Sequence, residues 1–458
     1  MKEEEIEMFN RLTAFMDQHL AEPMGKLSNQ KHLRAIRDGV IATLPLIIVS
    51  SMFLVIAFLP NSMPADWGIT KFIQANQAKI LLPYRMSMYI MTMYAVFGIG
   101  YSLANSYKLD GLSGGILAEL AYMMTIVPVT IPAVTEGLQK LAETNSELNT
   151  FVNGLPAGIV IPTGNLGSAG MFVGIVAAFF AVEVFRFTQN SGFKISMPPQ
   201  VPPNVARSFE SLTPTAICIL VVGCITYWIG FDLHGLMSKI ISPLINATDT
   251  LPSVIIICLL GMLLWSFGIH GWSIVGSLAR PIWLTLLESN TTAFAASQAI
   301  PHIGAEPFYQ WFIMIGGSGC TIGLSLLFFF RSKSSYAKAL GKTAIVPAIF
   351  NINEPMIFGA PIVLNPMLMI PFILCPIINA CIAWAVTSLG WVNAVVASAP
   401  WTLPGPIGAY LACGGDFRAA LLNIALIVIS VIIYYPFFVM YDKKLVAEEN
   451  EKNNVEGA

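Results

Sequence analysis

The chain has 458 residues, 55% hydrophobic and only 11% charged, with a formal net charge of −2. Soluble proteins carry about 25% charged residues, so composition excludes an ordinary soluble enzyme and gives no basic surface for nucleic acid. Apolar runs of membrane-crossing length recur from end to end, which makes the chain an all-α polytopic membrane protein in a lipid bilayer.

Seven cysteines lie in or beside apolar segments without a C-x-x-C pair. They read as packing residues, and no metal site or cofactor is expected. The start, MKEEEIEMFN, is too acidic for the basic region of a signal peptide. No phosphate-cradling G-x-x-x-x-G-K-[ST] occurs, which argues against direct use of ATP.

In chain order, residues 1–37 place apolar Ile6, Phe9, Leu12, Phe15, Met16 and Leu20 at helical spacing, ahead of Lys26, Lys31, Arg34 and Arg37. This predicts an amphipathic helix on the cytoplasmic surface. Spans are expected over about 38–59, 84–106 and 111–133. A polar loop at 134–169 follows, whose alternating valine and isoleucine suit a small hairpin. Two further spans, about 170–187 and 214–230, complete a first membrane domain over 38–230. Residues 231–250 read as a second surface helix joining two halves.

The second domain, 251–440, is less regular. Spans are expected up to WSFGIHG (265–271), over about 272–289 with Arg280 and Pro281 inside, and over about 307–330. The stretch 343–366, TAIVPAIFNINEPMIFGAPIVLNP, carries Glu354 in an apolar run broken by Pro347, Pro355, Pro361 and Pro366. A ninth span, 367–388, a second broken stretch at 397–415, a tenth span at 417–440 and a tail over 441–458 complete the chain. With both termini cytoplasmic, 17 of the 24 Lys and Arg fall inside and six outside, as positive-inside topology requires. Ten transmembrane helices and two re-entrant hairpins result, one hairpin entered from each side.

Broken backbone at membrane depth survives only inside protein or beside a wet cavity, and an ionisable residue there marks function. Glu354 is therefore the first candidate. His270, between Gly268 and Gly271 at the end of a span, suits binding a hydroxyl or relaying a proton, although a lone histidine is as often a packing residue. Asn351 and Asn353 set amide donors and acceptors beside the carboxylate, an inventory matched to hydroxyls; helix capping is the competing role for Asn351. Trp265 and Trp401 stand near the irregular regions, where a ring can stack on a sugar, but interfacial anchoring is the commoner task. Arg280 is expected to pair structurally with Glu288 or Glu306.

The run NINEPMIFGAPIVLNP resembles the Asn-x-x-Glu-Pro signature of the sugar-transporting enzyme IIC components of the bacterial phosphotransferase system, lactose/cellobiose/diacetylchitobiose family. FGIHG (267–271), SNTTAFAASQ (289–298), PFYQWFIMIGGSGCTIGL (307–324), APWTLPGPIGAYL (399–411) and KLSNQKHLRAIRDGVIATLPLIIVSS (26–51) are similar to it in the same order. The resemblance implies a homodimer in the bacterial cytoplasmic membrane, with the first five spans at the dimer interface and the last five holding a disaccharide. It places substrate-binding roles on Glu354, His270, Asn351, Asn353 and Trp401, with Trp265 a looser match. It further implies phosphorylation of the sugar 6-hydroxyl from a phosphocysteine on a separate IIB subunit, itself charged by IIA, with Glu354 and His270 assisting. Rigid-body displacement of the sugar-holding half would carry the substrate across. An ion-coupled secondary transporter, with Glu354 and His270 as a proton relay, is the alternative; a membrane hydrolase is disfavoured because no H-E-x-x-H or nucleophile elbow appears.

Overall fold

The computed structural model describes residues 30–131, 152, 158–198, 200–268, 270–360, 362 and 365–456. The expected surface helix up to residue 29, and residues 134–151 and 153–157 of the expected 134–169 loop, lie outside these residues.

Gln30 caps α1 (Lys31–Ala42), its side chain accepting the Leu33 N–H at 2.8 Å. After one residue α2 (Leu44–Phe58) continues the span, with Pro45 in its first turn, where a missing N–H costs no helix bond. α3 (Gly68–Ile80), α4 (Leu82–Met88) and α5 (Met91–Ser106) follow, then α6 (Gly111–Met123), capped by the Asp110 carboxylate on the Ser113 N–H. The span expected to reach residue 133 stops at Met123. Beyond it, between Pro128 and Pro132, β1 (Val129–Ile131) pairs antiparallel with β2 (Gly158–Val160), Thr130 opposite Ile159. The Gly-Ile-Val segment of the long loop thus pairs back to the end of the preceding span, because β-branched residues flanked by proline favour extended backbone.

α7 (Met171–Ser191) ends on Gly192 at φ 74°, and α8 (Pro203–Glu210) leads to α9 (Leu212–Gly223) and a π turn at Cys224–Trp228. α10 (Leu233–Thr248) has no buried residue, and a 79° bend separates it from α11 (Leu251–Ser266). α12 (Gly271–Ala295) precedes a short turn, Glu306–Phe308, and a π turn, Tyr309–Ile313. α13 (Ile322–Arg331), α14 (Ser335–Ile349), α15 (Glu354–Gly359), α16 (Pro366–Ser388) and α17 (Gly405–Ala412) lead to α18 (Phe417–Glu456), a 40-residue helix that runs through the segment expected as a tail.

Six helices among the described residues are long and apolar enough to cross a membrane, eight if each of two bent pairs is one span. The two expected spans outside that set differ for separate reasons. α6 has 13 residues, about 20 Å against a hydrocarbon core of about 30 Å. α12 has ample length at 25 residues but carries Arg280, Glu288 and several hydroxyls.

The contacts divide the chain into two compact units, Tyr89–Ile240 and the remainder, Met1–Met88 with Ile241–Ala458. In the first, α5 and α6 meet through Gly100, Ala104, Gly114 and Ala118; a Cβ on Gly114 would stand 2.3 Å from that of Ala104. Such small-residue seams let helices approach closely where lipid supplies no hydrophobic drive. In the second unit, the buried Tyr434 hydroxyl of α18 donates to the Gly319 carbonyl at 2.7 Å. This anchors a glycine-rich turn that matters for the site.

Candidate functional site

Proline and asparagine build the first wall. α14 contains Pro347 and ends at Ile349; after Phe350, Asn351 takes a left-handed conformation (φ 61°) and turns the chain back into α15. The Tyr336 hydroxyl at the start of α14 donates to the Gly359 carbonyl at the end of α15 at 2.7 Å. The broken stretch is therefore a closed hairpin with Glu354 near its tip. Glu354 is exposed, and its carboxylate has no hydrogen bond or ion pair among the described residues.

The neighbouring asparagines are spent on backbone. Asn351 Oδ1 accepts the Gly316 N–H at 2.8 Å, while Nδ2 donates to the Trp401 and Leu403 carbonyls at 2.8 and 3.0 Å. Both Nδ2 hydrogens are used, so one side chain stitches together the glycine turn and the two broken stretches. Asn353, 5% exposed, donates from Nδ2 to the Ser318 carbonyl at 2.7 Å. Gly317, at φ 93°, lies so close that a Cβ there would meet Asn353 Cγ at 2.4 Å.

Asn351→Ala should therefore unfold earlier in detergent, because three backbone groups lose their partner at about 1–3 kcal/mol each where burial excludes water. Asn351→Gly should lose less, since glycine accepts the positive φ freely. Thermal unfolding of the two variants side by side checks the ordering.

His270 sits on a second wall. Gly268, at φ 80°, turns the chain after α11, and His270 caps α12, accepting the Ser273 N–H on Nδ1 at 3.2 Å with the Ser273 hydroxyl 2.9 Å from the same nitrogen. A lone pair on Nδ1 places the neutral ring's proton on Nε2. Trp265, 5% exposed, lies 4.5 Å from the imidazole between ring centroids, tilted by 49°.

Both walls face one cavity of about 710 Å³, and Glu354, His270, Asn351, Asn353, Trp265 and Trp401 all line it. That volume lies in the range of small-molecule sites. Trp401 is 53% exposed, with its ring free to meet a ligand. Among the described residues no three His, Cys, Asp or Glu side chains gather as metal ligands would.

The cavity also draws in residues given no site role from the sequence. Trp272, Gly276, Arg280 and Trp283 line it from one face of α12, with Glu306, Tyr309 and Gln310 from the turns that follow. Their spacing of four, four and three residues is a helical stripe, and that was the available signal. Arg280 pairs with Glu306: Nη2 is 2.7 Å from Oε1, and Nε is 3.0 and 3.1 Å from the two oxygens.

The model of the family described as "Phosphotransferase system, EIIC" matches residues 37–376. The chain belongs to this family. It is 38% identical over 444 residues to the putative permease IIC component YwbA of Bacillus subtilis (strain 168), covering 96% of this chain and 97% of that one. It is 37% identical to the cellobiose-specific EIIC component of Geobacillus stearothermophilus over 96% of each chain. Among solved structures it resembles the transporter ChbC, the IIC component of the N,N'-diacetylchitobiose-specific phosphotransferase system, with a TM-score of 0.82 and 32% identity over 95% of this chain and 99% of that one. This EIIC is accordingly a multi-pass helical membrane protein and a sugar permease of a phosphotransferase system, a class that works with a IIB partner. The proton-coupled carrier is not favoured.

Proposed function

We propose that this EIIC binds a disaccharide of the cellobiose or diacetylchitobiose type in the 710 Å³ cavity and holds its 6-hydroxyl for phosphorylation by a separate phospho-IIB subunit. The carrying observation is that an acid without a partner among the described residues and an imidazole with a fixed tautomer face the same cavity. Glu354 accepts the 6-hydroxyl proton as that oxygen attacks phosphorus in line, and the IIB cysteine leaves as thiolate. His270 donates from Nε2–H to the sugar or to a phosphoryl oxygen. Trp401 and Trp265 supply aromatic faces, while Asn351 and Asn353 act chiefly by fixing the loop that carries Glu354.

Phosphorylated product carries about −1.5 to −2 charges, so it leaves to water rather than back through an apolar path. We assign the last five spans, 251–440, to the sugar and the first five, 38–230, to a homodimer scaffold, as the family resemblance implies. The contact division supports part of this, since it keeps 89–240 as a unit of its own. Movement of the sugar-holding part against that scaffold, in the bacterial cytoplasmic membrane with both termini inside, completes the transport reading.

Vesicles holding the purified protein test it. With phospho-IIB inside, cellobiose should appear in the lumen as its 6-phosphate, and a proton gradient alone should drive no accumulation. Uphill accumulation of unmodified sugar with the gradient would sink the reading.

A further inference from the structure

From the last residue of α13 through the loop into α14 stand four cations, Arg331, Lys333, Lys338 and Lys342, with Lys443 next in sequence to Asp442 of α18, which grips that loop. All five are exposed, and among the described residues none has an ion-pair partner. The adjacent acids are occupied elsewhere. Asp442 accepts the Ser332 hydroxyl and the Lys333 and Ser334 N–H groups, and Glu449 accepts the Ser334 hydroxyl and the Ser335 and Tyr336 N–H groups. These two carboxylates thus hold the loop and cap the start of α14 without pairing with any of the five cations, which outnumber them.

The placement of the lysines is informative. Lys338 and Lys342 are four residues apart, on one face of a helix that leads to the Glu354 hairpin. Lys342 lies seven residues, about 10 Å, short of the end of that helix. An ammonium carried that far along a re-entrant helix is costly against hydrocarbon and stable against water. α14, with 15 residues, is also shorter than the helices long and apolar enough to cross a membrane.

We propose that this stripe is the docking surface for the phosphorylated IIB subunit, drawing in the dianionic phosphoryl group and the protein surface around it. The assignment rests on the function proposed above, and charge complementarity carries it. Exposed, unpaired cations in excess beside the acid's own hairpin raise the local concentration of a phosphoryl donor and its rate of encounter. Lipid headgroups would need the same charges only at the bilayer surface, and would not require them to continue along the hairpin.

In nanodiscs, Lys338→Gln/Lys342→Gln should raise KM for phospho-IIB about tenfold or more and flatten its salt dependence. Sugar affinity, and kcat at saturating phospho-IIB, should stay near wild type. Lys338→Arg/Lys342→Arg should keep KM within about twofold, since the charge is retained. Equilibrium binding of phospho-IIB without sugar should weaken in parallel, a readout independent of turnover. Unchanged KM and binding in the Gln variant beside an active wild type would overturn the docking surface while leaving the proposed function standing. A defect seen only in discs containing phosphatidylglycerol, and absent in phosphatidylcholine alone, would assign the stripe to lipid and also overturn it.

Discussion

Glu354→Gln is expected to lower phospho-IIB-dependent sugar phosphorylation by about two to four orders of magnitude, the usual contribution of a positioned general base. The substitution keeps size and hydrogen-bonding capacity but cannot take a proton. Because the wild-type carboxylate has no ion pair or hydrogen bond among the described residues, the variant should fold normally. Sugar affinity should fall far less than turnover. Isothermal titration with sugar, set beside the rate with saturating phospho-IIB, separates the two. Near-normal turnover would remove Glu354 from the reaction.

Arg280→Met is the second large effect, and it falls on stability. Arg280 and Glu306 form a charged pair with side chains 16% and 23% exposed. Removing one member of a buried pair costs about 3–5 kcal/mol, because the other charge loses its compensation; these groups, facing a cavity, should stand toward the lower end. The double variant Arg280→Met/Glu306→Leu should recover much of that loss, since apolar residues of similar volume often replace a buried pair at little cost. Thermal unfolding of both variants with and without sugar distinguishes pairing from ligand contact. A double variant no more stable than the single would show that the pair does more than neutralise itself.

Much of the cavity could be read in the sequence, for reasons tied to particular residues. Glu354 stands out because an acid in an apolar run needs a polar surrounding, and the prolines around it rule out a plain helix. His270 stands out through its flanking glycines. The α12 face was harder to see. Trp272, Gly276 and Trp283 are unremarkable inside an apolar helix, and only the neighbouring turns turn their stripe toward a cavity. Asn351 shows another limit. Its composition gives donors and acceptors, but whether they meet ligand or backbone depends on Gly316, Trp401 and Leu403, which are 35 to 52 residues away. The grouping of the first helices with the second half is likewise a matter of long-range contact, which no local pattern records.

The Asn351 stitch has a mechanical consequence. Three backbone segments hang from a single amide, so any motion that leaves its hydrogen bonds intact carries the acid's loop, the glycine turn and the Trp401 stretch together, with the relative geometry of acid and ring preserved.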